Sequence, residues 1–189
     1  MRHTDMSEST GPSEKVVAIL AQFPGPVTLR ASKLKWIVVL VGNAFIGVGG
    51  VVLSLWSYLQ GGLTIGVVAG SVVGLFCVLA ATVGTFSLVT ERMWAKLDTE
   101  GFDTQNVWGR RRHRRWQDTD GFTAQWINFW PCTVYDDVNP ASGWWEALNR
   151  AYIGGKSLLP DTYGLGAENL AYLMTAWRQS ALARRVDSN

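Results

Sequence analysis

The sequence predicts a membrane α-helical hairpin carrying an α+β domain, and three observations predict it. Between Trp36 and Thr90 there is no Asp, Glu, Lys or Arg, although both flanks are richly charged. Gln60-Gly61-Gly62 breaks this run near its middle. The segment that follows alternates short β-type runs with turn signals and ends in one amphipathic helical pattern.

A bilayer core of about 30 Å needs roughly 20 apolar helical residues, so the uncharged run holds two spans and a turn. The first reads as Lys35 to Leu59 and the second as Leu63 to Val89. A buried hairpin of a soluble protein is the competing reading, but soluble helices of this length keep a polar stripe. Arg30, Lys33 and Lys35 precede the first span, Arg92 and Lys96 follow the second, and the turn is uncharged. Cationic residues stay on the cytoplasmic side, which puts both termini there. A long polar leader precedes the first span, unlike a signal peptide.

Within the spans, Gly66, Gly70 and Gly74 fall on one helical face and mark a helix-packing surface. Asn43 is the one strongly polar side chain deep in a span. No ionisable group lies in the spans to serve a proton or ion pathway. Trp36, Trp56 and Tyr58 stand near span ends, as interfacial anchors do.

The formal net charge is +2. It comes from the N-terminal segment, because acidic and basic residues balance from Glu91 onward. Residues 1–25 read as a disordered or amphipathic leader, and 26–34 as a possible edge strand. The hairpin is 35–90 and the domain 91–189. Two cysteines, Cys77 in a span and Cys132 outside, form no disulfide framework and fit a reducing cytoplasm.

In the domain, Trp94–Leu97 leads into a turn at Asp98-Thr99-Glu100-Gly101. Phe102 to Trp108 is a candidate strand, Gly109 to His113 closes a hairpin, and Arg114 to Trp116 resumes the chain. Phe122, Ala124 and Trp126 share a face of the next strand. Thr133–Tyr135 and Lys156–Leu159 are short strands. Ala167 to Arg184 sets Leu170, Leu173, Met174, Trp177 and Ala181 on one helical face, with Glu168 early and Arg184 and Arg185 late, as the helix dipole favours. Trp126, Trp130 and Trp177 read as core, whereas Trp144-Trp145 reads equally as core or as an interfacial anchor.

The run Leu158-Leu159-Pro160-Asp161-Thr162-Tyr163-Gly164-Leu165, then Ala167-Glu168-x-Leu170 and Ala176-Trp177-Arg178, resembles the C-terminal signature of a family of small bacterial membrane proteins. These pair two transmembrane helices with a bacterial pleckstrin-homology-like domain. Thr28 to Lys35, Leu97 to Phe102, and Trp116-x-Asp118 with Gly121-Phe122 are similar to further parts of it. The resemblance spans about residues 26 to 184, with Gly166 where the family has a serine cap. It implies a PH-like bent antiparallel sheet capped by the C-terminal helix, with Pro26 to Ser32 as an edge strand and the hairpin inserted after it.

Arg110, Arg111, Arg112, Arg114 and Arg115, interrupted by His113 and bracketed by Trp108 and Trp116, form the conspicuous surface feature. It reads as a solvated hairpin tip, as a site for anionic phospholipid headgroups, or, least favoured, as a nucleic-acid contact. Catalysis lacks its usual residues. His3 and His113 have no triad around them, and no Cys or His pair has metal-ligand spacing. Asp136-Asp137 reads as a turn. The expectation is therefore a non-enzymatic, cofactor-free scaffold on the bacterial inner membrane. It engages anionic lipid, an unknown protein partner or a homo-oligomer through its domain. The alternatives are an accessory subunit that contacts a membrane complex through its glycine faces, and an oligomeric pore.

Overall fold

A computed structural model of the chain describes residues 11–61, 65–90, 92–127, 130–138, 151 and 153–187. They divide into two units, Ala31–Met93 and the combination of Met1–Arg30 with Trp94–Asn189. The tryptophans at 144 and 145 lie outside the described residues.

Ala31–Met93 is the helical hairpin. Helix α2 spans Lys33–Gly61 and α3 spans Ile65–Thr90. Gln60 and Gly61 complete α2 rather than turning out of it, so the break falls later than polarity alone suggests. Both helices are long and apolar enough to cross a membrane, and only 6% and 17% of their most apolar windows are buried. A soluble core hairpin would be mostly buried.

The two helices pack antiparallel through their glycines. A Cβ on Gly47 would lie 3.1 Å from Cβ of Cys77. One on Gly70 would press into the Ser54 side chain and reach 2.6 Å from the Gly50 carbonyl oxygen. Gly74 faces Val51, and Gly66 is half-buried near the start of α3. The Ser54 hydroxyl donates to the Val67 carbonyl at 3.3 Å. Asn43 is satisfied within its own helix, its Nδ2 donating to the Val39 carbonyl at 2.8 Å. Gly70→Leu is expected to destabilise the hairpin by about 1–3 kcal/mol through overpacking. Gly49→Leu is expected to be nearly neutral, because a Cβ there meets nothing within 4 Å. Unfolding of the purified chain in detergent checks both, and equal stability of the two variants would contradict this packing.

The second unit is α+β. Helix α1 spans Glu14–Leu20 and buries Val16 completely. The Ser13 N–H donates to Oδ1 of Asn169 at 3.1 Å, and the Phe23 ring stands edge-on to Trp177. Part of the segment read as a leader therefore belongs to the packed unit. Strand β1 is Val27–Arg30, at the edge where a strand was expected. Strands β2 (Trp94–Leu97), β3 (Gly101–Gln105) and β4 (Arg111–Arg115) follow it in an antiparallel sheet of order β1-β2-β3-β4. A 3-10 turn at Trp116–Asp118 leads to a second antiparallel sheet. Its strands are β5 (Thr119–Ile127), β6 (Trp130–Asp137) and β7 (Ser157–Leu158), in that order. Helix α4, Ala167–Asp187, closes the core with Leu170, Leu173, Met174, Trp177 and Ala181, the face read from its spacing. One backbone carbonyl ties three elements together, since the Asp98 oxygen accepts both the Trp116 and the Trp177 indole N–H, at 2.9 and 3.0 Å.

Candidate functional site

The arginine run is a strand, not a hairpin tip. The turn lies earlier, at residues 106–110. Oδ1 of Asn106 accepts the Arg110 N–H at 3.0 Å, and Gly109 takes the φ of 76° that the turn requires. Residues 111–115 then pair along β3, and strand alternation sorts their side chains onto two faces.

Arg112 and Arg114 share the face of Thr104 and Phe102, their register partners, which are buried. Arg114 donates from Nε to Oδ2 of Asp137 at 2.7 Å, and the Asp137 side chain is 1% exposed. Arg114 is thus half-buried against the unit's interior, and Asp137, in β6, is its counter-ion rather than a turn residue. Burial, with the Asp137 charge behind it, pushes the neighbouring Tyr135 hydroxyl up from its ordinary value. Burial, with Asp161 behind it, does the same at Tyr163. Both shifts favour the protonated phenol.

Arg111, His113 and Arg115 point the other way. Nδ1 of His113 lies 2.9 Å from Oδ1 of Asp103, the only acidic residue in β1 to β4. Arg111 closes a cross-strand row of Arg30, Trp94, Gln105 and Arg111. Oε1 of Gln105 accepts from the Trp94 indole at 2.9 Å and from Nε of Arg111 at 3.2 Å. The Arg111 guanidinium stands 5.7 Å from the Trp94 ring centroid. This row fixes Arg111 in place, while Arg110 and Trp108 stand exposed in the adjoining turn, Trp108 by 71%. Arg115, in register with Gly101, is at the opposite end of β4.

This row also ends the sheet where the helical hairpin is inserted. The chain leaves β1 at Arg30, enters α2 at Lys33, leaves α3 at Thr90 and rejoins the sheet at Trp94. The turn bearing Trp108 and Arg110 lies at that same end of the sheet. The run of five arginines therefore resolves into a basic, aromatic corner (Arg110 and Arg111), the ion-pair partner of Asp137 (Arg114), half-buried Arg112, and distant Arg115. Sequence reasoning missed Arg30 and Trp94 as members of the corner. Only the pairing of β1 with β2 brings them there.

Trp126 and Trp130 are not core, being 77% and 55% exposed at the β5–β6 tip. Phe122 is buried, but Ala124 and Trp126, which follow it along β5, are exposed. Among the described residues no group of three or more His, Cys, Asp or Glu could hold a metal ion. No protein-family model, curated protein or solved structure matches the chain.

Proposed function

We propose that the chain is a two-pass binding protein of a bacterial inner membrane. Its PH-like domain lies on the cytoplasmic side with both termini, and docks on anionic lipid through Trp108, Arg110 and Arg111. One observation carries the reading: the basic turn and the two chain crossings share one end of the four-stranded sheet. The links from Arg30 to Lys33 and from Thr90 to Trp94 reach at most about 11 and 14 Å. The corner is thus joined to both spans by short links. Each arginine near an anionic surface contributes about 1 kcal/mol, and an exposed tryptophan prefers the headgroup region. Seven strands and a closing helix among the described residues support the PH-like reading.

The test uses the full chain in bilayer nanodiscs, with hydrogen exchange followed over residues 106–111. Protection is expected in anionic discs and not in neutral ones. High salt should remove it, as should Arg110→Gln with Arg111→Gln. Equal exchange in both lipids would overturn the reading.

A second reading, a protein partner, is favoured by the exposed pair Trp126 and Trp130. It predicts a crosslinked partner that is lost in Trp126→Ser/Trp130→Ser, and capture indifferent to that change would count against it. The accessory-subunit alternative loses Gly70 and Gly74 as contacts, because α2 of the same chain occupies them.

A further inference from the structure

A second basic cluster stands at the other end of β4, apart from the lipid-facing corner. Arg115 from β4, Arg184 and Arg185 from the last turn of α4, and Thr99 and Glu100 from the β2–β3 turn line a cavity of about 430 Å³, floored by Ala181. Three guanidinium groups meet one carboxylate there, so the lining carries an excess of positive charge. The two helical arginines are favoured at a helix C-terminus by its dipole. That effect does not explain why Arg115, on a strand, is brought to the same cavity. Arg185 is also positioned, its Nη1 donating to Oε1 of Gln117 at 2.9 Å.

The cavity falls within the size range of small-molecule sites, but its lining is polar and cationic. Planar guanidinium forks from two elements suit phosphate oxygens, which they bind with paired, charge-assisted hydrogen bonds. Arg115 lies about 13 Å along the strand from Arg111, given a rise of about 3.3 Å per residue. Arg115 is thus at the far end of β4 from the row of Arg30, Trp94, Gln105 and Arg111.

We propose that this cavity binds a soluble oxyanion carrying two or more phosphate groups. The groups belong either to a free small molecule or to a phosphorylated protein segment. The test is calorimetric titration of the full chain in neutral-lipid nanodiscs with inorganic pyrophosphate and, separately, with a doubly phosphorylated peptide. Saturable binding of one of them is expected. It should weaken by roughly tenfold for each guanidinium lost in Arg115→Gln and Arg184→Gln, and should be unchanged in Arg110→Gln/Arg111→Gln. Glu100→Gln removes the one carboxylate of the lining and should tighten binding, a gain that misfolding cannot imitate. Tighter pyrophosphate binding identifies the free molecule as the source, and tighter peptide binding the protein. No saturable binding of either probe, or binding that survives Arg115→Gln/Arg184→Gln, would overturn the proposal.

Discussion

Replacing Trp177 with alanine is expected to cost the α+β unit about 3–5 kcal/mol. The side chain is fully buried and among the largest in the core. It contacts the Phe23 ring edge-on, with centroids 5.4 Å apart, so it joins α4 to the segment after α1. Its indole also fills one of two hydrogen bonds on the Asp98 carbonyl. Alanine removes the contacts and leaves a cavity that a helix packed on two sheets closes only in part. Trp177→Phe keeps most of the apolar volume and leaves Asp98 still bonded to Trp116. It should fall between wild type and Trp177→Ala. Typical domains hold about 5–15 kcal/mol in total, so the alanine variant should unfold near ambient temperature. Thermal unfolding of the detergent-solubilised chain measures this, and a loss under about 1 kcal/mol would show that the helix is not held as described.

Asp137→Ala is expected to cost a similar amount, about 3–5 kcal/mol, for a different reason. The carboxylate is almost completely enclosed, and Arg114 opposite it is only 18% exposed. Removing the acid strands a guanidinium inside the unit, left with its Nη1 bond to the His113 carbonyl and its contact with the Tyr135 hydroxyl. An apolar replacement of both partners, Arg114→Met with Asp137→Leu, removes the stranded charge and should recover most of the loss. Chemical denaturation of the single and double variants separates these cases. If the double variant is as unstable as Asp137→Ala, the pair owes its effect to more than charge.

The hairpin was legible because it needs only a long uncharged run, a property of neighbouring residues. The final helix was legible for a related reason: its apolar face repeats within one element, and Leu170, Leu173, Met174, Trp177 and Ala181 are all buried. The site was legible only as a charge run. That Arg114 faces inward depends on Asp137, a partner from another sheet. That Arg30 and Trp94 join Arg111 depends on strands separated by the whole hairpin. Trp126 was misplaced because alternation does not tell how far along a strand the core extends, and Trp126 pairs with Pro131 near the end of the β5–β6 ladder. Helix α1 is a single short element with one fully buried side chain, Val16, too little pattern for periodicity to detect.

Insertion of the hairpin between β1 and β2 makes the order of synthesis matter. Arg30 and Trp94 are register partners, and the Ala31 N–H bonds to the Met93 carbonyl just beyond them. All of Ala31–Met93 is made between the two strands. The emerging N-terminal strand has no sheet to join until both spans have left the ribosome. A flexible loop of that length would impose an entropic penalty on closure. Two helices packed antiparallel instead return the chain to its starting point and deliver β2 beside β1. Formation of the packed hairpin therefore favours pairing of β1 with β2, and until they pair both strands present unpaired edges.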